Sequence, residues 1–195
     1  MSLWIPVTLA AAFFQTLRFM LQKHLSRVDL SPAGATFARF FYSAPLVAVL
    51  LALYLNASGQ ALPTLGLAFW IYGAAGGAAQ ILATICVVML FKQRNFAVGI
   101  TFKKTEVIQT VLVGWVILGE GVSIWGFAAI LIGLIGVLLL SDPPGGDGVW
   151  LRRIANRAAG IGLVSGVFFA ISGVCYRGAS LEIASADPLL RAGVT

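Results

Sequence analysis

The chain has 195 residues, of which 59% are apolar and 10% charged, and its formal net charge is +6 at pH 7. The basic residues are dispersed, with no basic run interleaved with aromatics, which argues against a nucleic-acid partner. The apolar residues cluster into stretches that match the ~30 Å hydrocarbon core of a bilayer at 1.5 Å per helical residue. A soluble bundle would have shorter helices with a polar face.

These stretches predict membrane spans. In chain order they are Leu3–Leu25, Ala33–Leu55, Leu67–Phe91, Ala97–Leu118, Val122–Leu140 and Ala158–Leu181. Lipid offers the backbone no hydrogen-bond partners, so each span should be helical, and the alternation of a membrane barrel is absent. We therefore predict an all-α, polytopic membrane bundle, located in the cell membrane as a multi-pass protein with the lipid bilayer around it.

The distribution of basic residues predicts an orientation. Lys and Arg follow the first, third and fifth spans, whereas the loops 56–64 and 119–121 contain neither. The positive-inside rule then places the N-terminus outside and the segment 141–157 in the cytoplasm. Pro and Gly fill residues 143–146 of that segment, which is typical of a linker.

A weak internal repeat lies on either side of this linker. The matching dipeptides are Phe13-Phe14 with Phe168-Phe169, and Ser31-Pro32 with Asp187-Pro188. Each Pro should begin the helix that follows it. An odd number of spans before the second copy would invert it in the membrane, as in secondary transporters. We predict a complete five-helix repeat over residues 1–140, a cytoplasmic linker over 141–157 and the truncated start of a second repeat over 158–195, in a chain that is a fragment of a longer protein.

Charged residues inside the spans form a layer. Arg18, Arg39, Lys103, Lys104 and Glu106 would each cost about 2.5–3.5 kcal/mol at the bilayer centre. Their positions place them roughly 9–14 Å below one membrane face. Helical spacing adds neutral polar residues to the same faces, which gives the candidate substrate-binding or coupling set Arg18, Arg39, Gln80, Thr84, Lys103, Glu106 and Thr110.

Two interpretations of this layer remain open. In the first, the candidates line a water-filled cavity that favours anionic solutes, with Glu106 exchanging protons. In the second, Lys103 and Lys104 snorkel to the headgroups, the arginines make structural hydrogen bonds, and Glu106 is a permanent counter-ion. We prefer the second for the lysines and the first for Glu106 and Arg39, because ionisable groups inside a span commonly mark pathways.

Other residue types indicate packing. We expect the glycines of the third and fifth spans to permit close helix approach, namely Gly73, Gly76, Gly77, Gly126, Gly133 and Gly136. The chain has no catalytic constellation, no metal-ligand spacing and no phosphate-binding loop, and His24 is its single histidine. No catalytic residue, metal or cofactor is therefore predicted, and an enzyme is not expected. Oligomeric state stays open.

Several short motifs resemble a known family. Leu118-Gly119-Glu120, then Ser123, then Gly136-Val137 is similar to the drug/metabolite transporter superfamily, in its EamA-type ten-helix branch. Arg39 fits an arginine common near the start of the second helix of that family. Glu106 falls where many members have a Glu-Pro pair, but Val107 replaces the proline. The fourth span should therefore lack a proline kink.

The resemblance implies a fold and a function. It implies inverted five-helix repeats around a central cavity and secondary active transport by alternating access. The solutes would be small metabolites or amino-acid-like molecules, often moved outward and often coupled to protons. The alternative class is a non-transporting membrane helper or lipid-interacting subunit, which would show no solute flux alone.

Overall fold

A computed structural model of the chain describes residues 4–28, 31–92, 96–140 and 157–195. Its helices are α1 (Trp4–Val28), α2 (Pro32–Ser58), α3 (Leu67–Phe91), α4 (Phe96–Lys103), α5 (Glu106–Leu118), α6 (Ile124–Leu140), α7 (Arg157–Leu181) and α8 (Pro188–Val194). These ranges contain no strand, which confirms the all-α prediction. The linker predicted over 141–157 lies outside the described residues except for its last position.

The exterior of the protein is apolar, as expected for a surface that contacts lipid. Among the described helices, α2, α3 and α7 are long and apolar enough to cross a membrane. Shorter apolar segments occupy Ile5–Leu21 of α1 and Ile124–Gly136 of α6. Large hydrophobic side chains such as Leu50 and Trp125 are exposed along these helices. Water would disfavour so much exposed apolar surface, whereas acyl chains would not.

Helix α7 lies at the centre of the arrangement. It packs along α3 and also against α4 and α5, while α1 and α2 also contact α3. Helix α6 contacts chiefly α5, and the short α8 contacts α2 and α7. The helix that opens the predicted second repeat therefore packs into the predicted first repeat.

Small residues let α7 approach its neighbours closely. A Cβ atom added at Gly162 would overlap the carbonyl oxygen of Gly99 in α4. A Cβ at Gly178 would lie 2.9 Å from the ring of Tyr72 in α3. Helices in lipid associate through such close backbone contact, because no hydrophobic force drives them together there.

The prediction that the glycines of the third and fifth spans permit close helix approach is largely wrong. No described atom lies within 4 Å of a Cβ built at Gly73, Gly77, Gly133 or Gly136. Of the expected set, Gly76 does make an interhelical contact, at 3.1 Å from Cys175 Cβ in α7. The reason is that a glycine permits close packing without determining which side of its helix has a neighbour.

The predicted span Ala97–Leu118 is interrupted and forms the two helices α4 and α5, although it contains no proline. Lys104 N donates to Thr101 O (3.0 Å) and Thr105 N to Phe102 O (3.1 Å), in place of bonds four residues back. The Thr105 hydroxyl also donates to the carbonyl oxygen of Phe102 (2.7 Å). A threonine hydroxyl that competes for a helix carbonyl in this way bends the helix without proline, and the tighter turn ends α4.

Two helices begin at the prolines where the sequence predicts helix starts. Pro32 and Pro188 occupy the first residues of α2 and α8, where a missing N–H costs nothing. The side chain of Ser31 accepts a backbone hydrogen bond at 3.0 Å, and Asp187 Oδ1 accepts one from Leu189 N at 2.9 Å. The prediction that each proline begins a helix is confirmed.

Candidate functional site

A chain of polar contacts crosses the bundle interior from α2 through α3 to α7. Arg39 Nη1 donates to Thr84 Oγ1 (3.3 Å), and the Thr84 hydroxyl donates to the carbonyl oxygen of Gln80 (2.7 Å). The side-chain oxygen of Gln80 accepts a hydrogen bond from Ser172 Oγ (2.9 Å). We call Arg39, Thr84, Gln80 and Ser172 the polar chain.

The sequence positions these groups through helical spacing. Gln80 and Thr84 are four residues apart and share one face of α3. Thr84 and Ser172 are buried. Two turns before Ser172, the buried Ser165 donates to the carbonyl oxygen of Ala83 (3.1 Å). Buried hydroxyls need such partners, so the α3–α7 interface is held by polar bonds as well as by small residues.

Arg18 in α1 lies beside the polar chain without joining it. Its guanidinium group is 4.5 Å from the centre of the Phe19 ring. Its Nε and Nη2 atoms are buried and have no hydrogen-bond partner in the described part of the chain. Arg18 and Arg39 are also close enough to repel each other electrostatically. The structure thus holds two neighbouring cations, one of them with unused donors.

Tyr176 borders the same region from α7. Its ring lies 3.4 Å from a Cβ built at Gly76, and it interacts electrostatically with Arg39. Sequence reasoning missed both Tyr176 and Ser172. The available signal was their spacing with Ser165, since these three polar residues recur on one face of an otherwise apolar helix.

Lys103 and Glu106 form an ion pair across the interruption between α4 and α5. Lys103 Nζ lies 2.5 Å from Glu106 Oε2, and its side chain is 13% exposed. The same ammonium group lies 4.4 Å from the centre of the Phe169 ring in α7 and 5.9 Å from that of Phe19 in α1. Lys103 is thus directed into the bundle, so the snorkelling interpretation fails for it; Lys104 is exposed.

The first turn of α5 carries two more polar side chains. The Thr110 hydroxyl donates to the carbonyl oxygen of Glu106 (2.8 Å) within its own helix. Gln109, which sequence reasoning missed, donates from Nε2 to Thr105 Oγ1 (3.2 Å), while its buried Oε1 has no partner among the described residues. Glu106 begins α5, where a carboxylate complements the positive end of the helix dipole.

The predicted candidates thus fall into three groups. Arg39 donates to the Thr84 side chain, and Thr84 donates in turn to the backbone oxygen of Gln80. Lys103 and Glu106 are paired with each other. Arg18 forms the third group by itself, and the Phe19 ring beside it is also 5.9 Å from the ammonium group of Lys103. Thr110 belongs with the second group in the same way, because its hydroxyl donates to the backbone oxygen of Glu106.

A second set of polar contacts lies at the C-terminal end of α7. Arg177 donates to Glu120 through Nε (2.5 Å) and Nη2 (2.7 Å), which is a bidentate pair. Gly119 ends α5 at a φ of 67°, a left-handed conformation that favours glycine, and so turns Glu120 toward α7. The hydrogen bond from Arg177 holds the pKa of the Glu120 carboxyl below its usual value. This contact explains the Leu-Gly-Glu motif in structural terms.

The start of α8 is tied to α2 at the same end. Tyr54 OH donates to Asp187 Oδ2 (2.5 Å), and Gln60 Nε2 donates to the same oxygen (3.0 Å). Arg191 holds the carbonyl oxygen of Ser180 through Nη2 (2.6 Å). These bonds connect the turn between α7 and α8 to the end of α2.

An open cleft lies next to these contacts. It has a volume of about 460 Å³ and is lined by Tyr176, Arg177, Ser180, Ala192 and Thr195. Tyr176 therefore borders both the cleft and the surroundings of Arg39. Within the residues that the structure describes, no group of three or more His, Cys, Asp or Glu side chains could hold a metal ion.

Comparison with known proteins agrees with the motifs in the sequence. Residues 2–142 match the EamA-like transporter family, a region that includes the polar side chains of α1 to α5 and the Leu-Gly-Glu motif. No curated protein and no solved structure matches the chain. The chain therefore belongs to the EamA-like transporter family, which consists of membrane transporters of the drug/metabolite type.

Proposed function

We propose that the protein is a secondary active transporter that exports small metabolites or amino-acid-like solutes across the cell membrane by alternating access. Family membership supports the transporter class. The observation that carries the finer proposal is the polar chain from Arg39 to Ser172, inside a bundle whose exterior is apolar. Buried polar groups in a membrane protein are expensive, and they commonly mark a transport pathway.

The position of the polar chain supports alternating access. In the proposed architecture, α2 and α3 belong to a first repeat over 1–140, and α7 belongs to a second repeat over 158–195, joined by the linker 141–157. The bond between Gln80 and Ser172 then crosses the interface between repeats. Secondary transporters bind solute at such an interface and expose it alternately by rocking one repeat against the other.

Glu106 is the proposed coupling group for protons. Its carboxylate is paired with Lys103, and that ammonium group also faces Phe169 of α7. Protonation would neutralise Glu106 and leave the half-buried ammonium group of Lys103 unpaired, which is unfavourable in low dielectric. The interaction between α4–α5 and α7 would change as a result. Binding of one proton could thereby shift the balance between inward-facing and outward-facing states.

The test is solute flux in proteoliposomes with an imposed pH gradient. The protein is reconstituted and supplied with a panel of radiolabelled amino acids and organic anions. We expect flux of at least one solute that increases with the gradient, and we expect Glu106→Gln to abolish the pH dependence while insertion is retained. Glu182→Gln is the matched control, because that carboxylate is exposed beyond the end of α7.

The outcomes separate the parts of the proposal. Absence of flux for every solute would contradict transport and favour a helper or lipid-interacting subunit. Flux whose pH profile survives Glu106→Gln would contradict only the coupling role of Glu106. Loss of pH dependence in Glu182→Gln as well would show that the effect is not specific to the ion pair.

A further inference from the structure

We infer that Arg18 and Arg39 together bind a carboxylate of the transported solute, so that the substrates are small organic anions. This inference rests on the proposed function, because it assigns a substrate class to the same interior site. It depends on three observations: the charge balance of the site, the unused donors of Arg18, and the access that Tyr176 borders.

Among the residues that the structure describes, the charge balance of the interior leaves a surplus of two cations. Lys103 is neutralised by Glu106, with which it forms an ion pair. Arg39 has a neutral partner, the hydroxyl of Thr84. No carboxylate among the described residues pairs with Arg18 or Arg39, which also repel each other. A bound anion would relieve this repulsion and supply the missing counter-charge.

The unused donors of Arg18 have the geometry that a carboxylate requires. The atoms without partners are Nε and Nη2, which form one edge of the planar guanidinium group. In the same protein, Arg177 uses this pair of atoms to hold both oxygens of Glu120. An arginine edge that is buried and unpaired is costly, and the bidentate carboxylate contact is the one that its geometry fits best.

The surroundings offer further contacts for such a solute. Phe19 and Phe40 lie against the two guanidinium groups, at 4.5 Å from Arg18 and 4.7 Å from Arg39, and so provide apolar surface beside the charge. Tyr176 borders the cleft of about 460 Å³ and interacts with Arg39. The cleft is the proposed route by which the anion reaches the arginines.

Benzoate and benzamide are suitable probes, because they have the same shape and differ in charge. Binding is measured by thermal unfolding of the purified full chain in uncharged detergent, since a ligand of the folded state raises the midpoint. We expect benzoate to raise the midpoint and benzamide to leave it unchanged. Arg18→Gln and Arg39→Gln should each weaken benzoate binding by roughly tenfold or more, the loss expected for a charged hydrogen bond.

Two further variants keep the experiment interpretable. Lys104→Gln removes a cation of the same membrane region from an exposed position, and it should bind benzoate as the wild type does. Arg18→Lys keeps the charge without the bidentate edge, so we expect an affinity between those of the wild type and Arg18→Gln. If Arg18→Gln does not fold, Arg39→Gln and Arg18→Lys carry the test.

The results that would overturn the inference are distinct from those that would overturn transport. Benzoate binding that is unaffected by both Arg18→Gln and Arg39→Gln would overturn it, even if other solutes are transported. Arg-dependent benzoate binding without flux of any solute would support it and contradict the proposed transport. In a final arm, phosphatidylglycerol is added to the micelles; if this lipid binds in an Arg18-dependent way and benzoate does not, the site holds a headgroup and the inference is wrong.

Discussion

Helices α1 and α7 have similar sequences at their Phe-Phe pairs, yet they occupy different environments. Phe13 and Phe14 of α1 are each 66% exposed, whereas Phe169 of α7 is 8% exposed. Helix α7 packs against α3, α4 and α5, while α1 lies at the edge against α2 and α3. The comparison shows that apolar composition predicts membrane insertion of both helices but does not predict which one lies at the centre.

Small residues in α7 account for its central position. Gly162, Gly166 and Gly178 of α7 each bring a neighbouring element close enough that a Cβ would be crowded. Hydroxyl groups on the same helix then reach the backbone and side chains of α3. Close approach followed by polar bonding is the usual way in which helices associate in lipid. Four predictions test this account of α7 against α1, from the largest effect to the smallest.

The largest effect is expected from Gly162→Ala. The added Cβ would overlap the carbonyl oxygen of Gly99, and backbone cannot move as a side chain can. We expect a loss of about 3 kcal/mol or more in the free energy of unfolding, the upper range for overpacking. Thermal or denaturant unfolding in detergent would measure it. Gly160→Ala is the control on the same helix, with no described atom within 4 Å of its Cβ, and it should be neutral or stabilising.

The two Phe-Phe pairs give the next comparison. Phe169→Ala removes a buried ring that packs with Ala83 and Val87 and contacts Lys103, so it should cost about 3 kcal/mol. Phe13→Ala removes an exposed ring and should change stability by no more than about 0.5 kcal/mol. Equal losses in the two variants, measured by unfolding in the same detergent, would contradict the central position of α7.

A hydroxyl group in each of the two helices gives the third prediction, with a smaller expected loss of stability. The Ser165 hydroxyl in α7 bonds to Ala83 O of another helix, whereas Thr16 in α1 bonds to Ala12 O of its own helix. Ser165→Ala should cost about 1 kcal/mol, because it leaves a buried interhelical contact unmade. Thr16→Ala should be close to neutral in the same unfolding assay. A larger loss in Thr16→Ala would indicate that α1 is covered where the structure shows it exposed.

The smallest expected effect is on the pH dependence of stability. Arg177 holds the pKa of Glu120 below its ordinary value of 4.5, so folding is favoured by this ion pair at pH values above that value. The contribution is lost as the pH falls through the lowered pKa, when Glu120 takes up a proton. Unfolding midpoints measured between pH 7 and about pH 3 should fall less in Glu120→Gln than in the wild type. Both side chains are exposed, so the difference should be small, and parallel pH profiles would show that the pair does not anchor α7.

The sequence predicted the helices well and their contacts poorly. Five of the predicted spans correspond to single helices, and Pro32 and Pro188 begin helices as expected. These features depend on local rules of apolar length, proline position and side-chain capping. The interruption at Lys104–Thr105 was not predicted, because proline is the usual sequence signal for a helix bend. Here the hydroxyl of Thr105 bends the helix instead.

Part of the candidate site could also be predicted from local sequence rules. Periodicity places Gln80 and Thr84 on one face of α3, and the structure joins them to Arg39. Periodicity alone could not show that α7 supplies Ser172 to this face, since that requires knowing which helices are neighbours. The snorkelling interpretation of Lys103 failed for the same reason, because the sequence does not show that α7 is a neighbour of α4. The Lys103 ammonium group instead contacts the Phe169 ring of α7.

The central claim is that the polar groups of α1, α2, α3 and α7 enclose a hydrated interior. Reaction of single cysteines with a water-soluble thiol reagent tests it in reconstituted protein, after Cys86 and Cys175 are replaced. Gln80→Cys faces Ser172, whereas Ile81→Cys lies on the exposed apolar side of the same helix. Because a thiol reacts as its thiolate, it needs water nearby. We predict rapid labelling of Gln80→Cys and little labelling of Ile81→Cys; the reverse order would contradict the account.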